Sequence, residues 1–169
     1  MGTVVFESEG TMFKNILLGL DGSPESARAL DLATKIADED SAHIEIVHVR
    51  EYMIAGRAGM QTTRANEEDL EAIVRKQADD LAAGGAEVTL TVVSSTTGGP
   101  AHVLADQAAD SGADVIIVGT RGHTGLAGLL LGSVTQRLLH ISPCPVMAVP
   151  APIGAEHGAE QSETAATVV

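Results

Sequence analysis

A chain of 169 residues is the length of one compact domain, large enough to bury a hydrophobic core without disulfides or a structural metal. Its formal charge of −13, from 10 Lys and Arg against 23 Asp and Glu, excludes the basic patches that nonspecific nucleic-acid binding or an acidic membrane surface would need. The single cysteine, Cys144, excludes an intramolecular disulfide and a cysteine-rich zinc site, and no apolar run approaches the roughly 20 residues of a membrane span.

Apolar residues make up 44% of the chain but aromatic ones only 2%, so the core is built from Ala, Val, Leu and Ile, the usual lining of a buried parallel sheet. The excess of acid reads as a solvated, self-repelling surface. Adaptation to high salt is the alternative, read from melting temperature against potassium chloride. The N-terminus has no basic region leading into an apolar stretch, so a cytoplasmic protein is expected.

Residues 1–12 lack periodicity and read as an N-terminal extension, with Met12 as an alternative start. The domain proper is expected over 13–150. From Phe13 the run Ile16-Leu17-Leu18-Gly19-Leu20 predicts a buried strand, ending at Asp21-Gly22-Ser23-Pro24. Ser23 is placed to cap the next helix and Pro24 suits its first position. That helix presents Ala27, Leu30, Ala33 and Ala37 at helical spacing. The second strand is Ile44–Val49, followed by a connection to about residue 63 that contains Gly56 and Gly59 and is expected to be mobile. A second helix carries Leu70, Val74 and Leu81 on one face and stops at Gly84-Gly85.

Val88–Val93 predicts a third strand, and Gly98-Gly99-Pro100 opens a helix that buries Val103, Leu104 and Ala108. The fourth strand, Asp114–Gly119, is the most apolar short run in the chain. A glycine-rich segment leads from it into a fourth helix with Val134, Leu138 and Ile141 inward, and Pro145–Val149 is the last strand. Residues 151–169, small and acidic, read as a disordered tail.

Strict alternation of strand and helix calls for an α/β fold: a single doubly wound, five-stranded parallel sheet with helices on both faces and right-handed crossovers. In such sheets ligands bind beyond the carboxyl ends of the strands, where the strand order reverses. With the order 3-2-1-4-5 that crevice lies between the first and fourth strands, which end at Asp21 and Gly119.

There stand Gly119-Thr120-Arg121-Gly122-His123-Thr124-Gly125, then Gly128, then Gly132-Ser133. Glycine lets backbone approach a phosphate closely. The start of the fourth helix offers free N–H groups and a positive dipole near Gly132, Ser133 and Val134. The Ser133 hydroxyl is a further donor, and Arg121 and His123 are the local groups that can reach terminal phosphates. No Gly-Lys-Ser or Gly-Lys-Thr occurs, and no Gly-x-Gly-x-x-Gly follows the first strand, which argues against a P-loop NTPase and a dinucleotide oxidoreductase.

The spacing Gly119, Gly122, Gly132, Ser133 matches the pattern Gly-x2-Gly-x9-Gly-(Ser/Thr), and here the chain resembles the universal stress protein family in its ATP-binding branch. The resemblance spans roughly 13–150. It includes Leu20-Asp21-Gly22-Ser23, His48-Val49 and Pro143-Cys144-Pro145-Val146. It implies a Rossmann-like fold and a role for each matching residue. Asp21 would lie on the nucleoside side and Val49 would meet adenine. Gly119 and Gly122 would border ribose and phosphates, while Gly132, Ser133 and Val134 would hold phosphate oxygens. ATP with a bridging Mg2+ is the implied cofactor, and a homodimer through Val146–Val149 the implied assembly, with the protein partner unknown.

Other polar residues read more plainly. Asp21 also suits a cap of the turn into the first helix, and His48 a packed or surface histidine. His102 and His140 belong to helix surfaces, and Cys144 is a structural thiol. Glu67, Glu68, Asp69 and Glu71 read as a solvated face near a helix N-terminus. No Ser-His-Asp arrangement is brought together by periodicity. Three functions remain: an ATP-binding stress or signalling module, a slow ATP hydrolase or phosphotransferase, and a non-catalytic interaction protein whose glycines only shape a turn. Substitution of Gly122 by Ala is expected to weaken ATP binding by crowding the phosphates.

Overall fold

The computed structural model describes residues 12–55, 60–63, 67–95, 98–122 and 131–150. The chain runs β1 (Asn15–Gly19), α1 (Pro24–Asp40), β2 (His43–Ala55), β3 (Met60–Thr63), α2 (Glu67–Ala83), β4 (Val88–Ser95), α3 (Pro100–Ser111), β5 (Val115–Gly119), α4 (Ser133–Ile141) and β6 (Val146–Val149). Five strands form a parallel sheet in the order β4-β2-β1-β5-β6. Numbered along the chain without β3, that is the expected 3-2-1-4-5. The order reverses between β1 and β5, which pair in the register Ile16 to Val115 and Leu18 to Ile117.

Strand periodicity divides the core in two. Ile16, Leu18, Ile44, Ile46, Val115 and Ile117 point to the face covered by α1 and α2. Leu17, Val47, Ile116 and Val118 point to the face covered by α3 and α4. Because both faces are buried at the centre of the sheet, β1 and β5 read as continuous apolar runs, whereas β2 and β4 carry alternating polar residues such as Glu45, Thr89 and Thr91. The helices meet the sheet through small residues: Ala29, Ala33 and Ala37 from α1, and Ala101, Ala105 and Ala108 from α3. Alanine stripes bring helix backbones close to the sheet.

The local signals act as expected at the helix ends. Ser23 Oγ accepts the Ser26 N–H at 3.1 Å, and Pro24 opens α1. Gly112 closes α3 with a φ of 66°, a left-handed value that a Cβ would penalise. Helix faces differ in detail from the sequence reading. Ala29 and Ser26 are buried on α1 while Ala27 is half-buried. On α3 Ala101 and Ala105 go inward and Val103 stays half-buried; on α2 Ala78 is buried rather than Leu81. In each case a small residue takes the position of closest approach.

One element was not expected. Strand β2 does not end at Val49 but continues to Ala55 and pairs antiparallel with β3, from Tyr52 opposite Thr63 to Ala55 opposite Met60. The segment read as a mobile connection is thus partly a two-stranded ribbon, standing beyond the end of the parallel sheet. Ladder hydrogen bonds decide this, not apolar periodicity. Gly56 and Gly59, the N-terminal extension and the tail after Pro150 lie outside the described residues.

Candidate functional site

The strand order reverses between β1 and β5, and the site lies at their carboxyl ends. Leu20 follows β1 and is fixed on both sides of its backbone. Its N–H donates to Val47 O at 3.1 Å, and its carbonyl accepts a hydrogen bond from His48 Nδ1 at 2.8 Å. Asp21 comes next, and its Oδ1 accepts the Ser23 N–H at 3.0 Å. Gly22 between them has a φ of 77°, which turns the chain sharply into α1. Asp21 therefore does serve the turn, as its position allows, while its other oxygen stays directed across the crevice.

Across the crevice the two ends of the glycine segment are held together. The Gly132 N–H donates to Thr120 O at 2.7 Å, and Thr135 Oγ donates to Gly119 O at 2.8 Å. Thr120 N–H in turn donates to Val149 O at 2.8 Å, tying the segment to β6. Close approach explains the glycines here. A Cβ on Gly119 would lie 2.8 Å from Glu25 Cβ and 3.0 Å from Arg121 O. A Cβ on Gly122 would collide with Asp21 Oδ2, and one on Gly132 would sit 3.3 Å from Thr120 O. His123, Thr124, Gly125 and Gly128 lie outside the described residues.

These elements enclose a cleft of about 260 Å³. Asp21, Val49, Gly119, Arg121, Gly122, Gly132, Ser133 and Val134 all line it. Separate stretches of sequence are thereby brought to one place: the ends of β1 and β5, the middle of β2, Ser26 of α1 and the starts of α2, α3 and α4. The apolar part of the lining comes from Val47, Val49, Leu70, Leu104 and Val118. The polar part comes from Asp21, His48, Glu51, Glu67, the described ends of the glycine segment and the first turn of α4. Gly132 caps α4 in an extended conformation and carries no side chain to cover the N–H groups of that turn. The positive end of the α4 dipole adds to their attraction for an anion.

The structure also supplies residues that the sequence did not single out. Glu67 is buried, not solvated: its Oε1 lies 2.8 Å from His48 Nε2, and both side chains line the cleft. The signal was available, since a histidine in a buried strand needs hydrogen-bond partners, but only the fold reveals which residue supplies them. Glu71 is likewise engaged, accepting from Arg50 Nε at 2.7 Å and Arg75 Nε at 3.0 Å, and these two guanidinium groups hold its carboxyl below the usual range. Thr135 lies one residue beyond the span noticed in the sequence. Arg121 lines the cleft with its Nε 3.8 Å from Glu25 Oε1, so the carboxylate of α1 shares the charge expected to face phosphates.

His102 and His140 remain on helices, the former with Nδ1 at 2.6 Å from Gly98 O. Cys144 is half-buried, and burial pushes its thiol up, away from the reactive thiolate. Among the described residues no cluster of three or more His, Cys, Asp or Glu is arranged to hold a metal ion. No helix among them is long and apolar enough to cross a membrane.

Comparison with known proteins agrees with this geometry. Residues 12–150 match the model of the universal stress protein family. The universal stress protein YxiE of Bacillus subtilis is 33% identical over 155 residues, covering 82% of this chain and 99% of its own. Among solved structures, hypothetical protein MJ0577 superposes with a TM-score of 0.67 at 24% identity, over 83% of this chain and 98% of its own. A universal stress protein crystallised in complex with cAMP is 30% identical, with a TM-score of 0.58, over 81% of this chain and 96% of its own. The family match covers most of the chain, and the sheet order and the cleft agree with it: the chain belongs to the universal stress protein family.

Proposed function

We propose that the cleft binds an adenine nucleotide, with ATP as the ligand, and that occupancy rather than turnover is its function: a stress or signalling module read by a partner. The observation that carries this reading is one cleft lined both by the apolar side chains Val49, Leu70 and Leu104 and by the donor-rich start of α4 at Gly132, Ser133 and Val134. A purine base suits the apolar lining by burial of its faces, and phosphates suit the helix start through backbone N–H groups and the α4 dipole. Asp21, on the same wall, suits ribose hydroxyls, because an ionised carboxylate only accepts hydrogen bonds. The relative described with cAMP supports the adenine class. In a chain of charge −13 that also puts Asp21 and Glu51 on the cleft wall, a triphosphate needs its charge offset. A Mg2+ ion carried by the phosphates and water meets that need, since Mg2+ is commonly bound through phosphates.

Arg121 stands beside Glu25, which shares the charge that phosphoryl transfer would call on, so binding is the function this reading assigns to the cleft. Strand β6 pairs with β5 on one side; a homodimer through its other edge is the assembly we attach to this reading. Titration of the purified protein with ATP and Mg2+ by calorimetry tests the core claim. Saturable heat with one site per chain is expected, and no heat with no thermal shift would sink it. Phosphate release, measured beside Gly132→Ala and Ser133→Ala, distinguishes turnover by this cleft from a contaminating ATPase, whose rate the substitutions would leave unchanged.

A further inference from the structure

A buried histidine–glutamate pair on the cleft wall has no role in holding the nucleotide. His48 is 2% exposed and Glu67 5% exposed, and the imidazole is bonded at both nitrogens, to Leu20 O and to Glu67 Oε1, each at 2.8 Å. The chemistry of the partners fixes most of the protonation. A backbone carbonyl only accepts, so Nδ1 carries a hydrogen. The contact between Nε2 and Oε1 requires one hydrogen between them. Whether it rides on nitrogen or oxygen, the pair is neutral as a whole. A neutral pair with the imidazole bonded at both nitrogens can be buried without the cost of an isolated charge.

The three bonded groups belong to three different elements, all at the cleft. Leu20 joins β1 to Asp21, His48 lies in the middle of β2, and Glu67 is the first residue of α2. The imidazole has only two side-chain torsions, and bonds at both ends leave neither free. It acts as a stiff strut between a backbone carbonyl beside the proposed ribose contact and a helix start. The carboxylate also lies at the positive end of the α2 dipole, so it stabilises the first turn that it anchors. Leu70, from the same turn, lines the cleft as well. Directly before α2 in the chain comes the ribbon of β2 and β3.

We propose that the chain from the Leu20 carbonyl through His48 to Glu67 transmits occupancy of the cleft to the first turn of α2. A nucleotide that immobilises Asp21 and the end of β1 immobilises the strut, and with it the helix start. The ordered turn, next to the ribbon, is then the feature that a partner reads. His48 is in this sense a positioning residue, acting through its neighbours. The proposal rests on the adenine-nucleotide reading and adds its output to it.

Hydrogen exchange of the full-length protein, followed by mass spectrometry with and without saturating ATP and Mg2+, tests it. The amides of Glu71 to Val74 bond to carbonyls of the first turn and report its opening. In the wild type ATP is expected to slow them about tenfold, the effect of one net hydrogen bond to a buried group. Glu67→Gln keeps the chain, because its amide donates to the bare Nε2, and should keep the slowing. His48→Asn places an amide nitrogen where Nδ1 stood and retains the bond to Leu20 but cannot reach Glu67. With ATP bound, it should lose the slowing while sheet amides at Ile116 to Val118 stay protected. Should that variant not fold, Glu67→Met cuts the same link and leaves His48 whole. ATP binding without slowing in the wild type overturns the proposal alone, as does slowing that survives the cut. Failure of the wild type to bind ATP overturns the nucleotide reading, and this proposal with it.

Discussion

Two alanine substitutions in the glycine segment should have opposite consequences, and the structure gives the reason for each. At Gly119 the new methyl carbon would lie 2.8 Å from Glu25 Cβ and 3.0 Å from both Glu25 C and Arg121 O. Relief to ordinary van der Waals contact requires a displacement of about 0.6 Å of the first turn of α1, since two of these atoms are backbone and cannot rotate away. Such overpacking costs about 1–3 kcal/mol. In a domain of this size each kcal/mol lowers the melting temperature by about 2–4 °C. Urea unfolding in the absence of nucleotide should show a lower midpoint with an unchanged slope. At Gly122 the methyl meets Asp21 Oδ2, a side-chain end, with Asp21 Cγ at 3.6 Å. Rotation of that carboxylate relieves the contact, so stability should fall by less than about 1 kcal/mol. The rotated carboxylate no longer faces the cleft, and loss of one charge-assisted hydrogen bond lowers ATP affinity about tenfold. The group crowded first is thus Asp21 rather than a phosphate. Equal unfolding midpoints for wild type and Gly119→Ala, or wild-type affinity in Gly122→Ala, would refute the close approaches on which this rests.

Further outcomes follow from individual contacts. Asp114 Oδ2 accepts the Lys14 N–H at 2.7 Å and the Asn15 N–H at 2.9 Å, and these bonds lower its carboxyl below the ordinary range. A carboxyl lowered in the folded state stabilises it above the unfolded pKa, and that contribution is lost as pH falls through the folded value. Asp114→Ala should therefore be less stable than wild type at pH 7, with the gap closing in acid below the ordinary aspartate range; denaturation midpoints across pH check this. Burial raises the Cys144 thiol, so alkylation by iodoacetamide at neutral pH should be several-fold slower in the native protein than in urea, as followed by mass. Thr135→Val removes the donor to Gly119 O while keeping shape, and should cost about 1–2 kcal/mol in urea unfolding.

Much of the molecule was legible because its signals are local. The runs at Ile16–Leu20 and Val115–Gly119, the cap at Ser23 with Pro24, and the stop at Gly84-Gly85 act over a few residues, where sequence neighbours are also spatial neighbours. Strict alternation of strand and helix then restricts the topology to a few candidates, and the switch point follows from the strand order. The pairing of 52–55 with 60–63 was not legible, since it depends on ladder hydrogen bonds between backbones rather than on side-chain pattern.

The glycine segment shows the same division. Residue type alone marked the glycine-rich run ending at Gly132-Ser133 as a candidate phosphate site, because glycine permits close approach and a helix start offers unbonded N–H groups, and the resemblance to the family pattern singled out Gly119, Gly122, Gly132 and Ser133. Tertiary structure alone decided what approaches each glycine: α1 at Gly119, the Asp21 carboxylate at Gly122, the Thr120 carbonyl at Gly132. It likewise turned Glu67 from a solvated helix face into the buried partner of His48, across 19 residues of chain. Periodicity counts how often a side chain faces inward. Which polar group waits there depends on the packing of a separate element, and that information is absent from either segment read by itself.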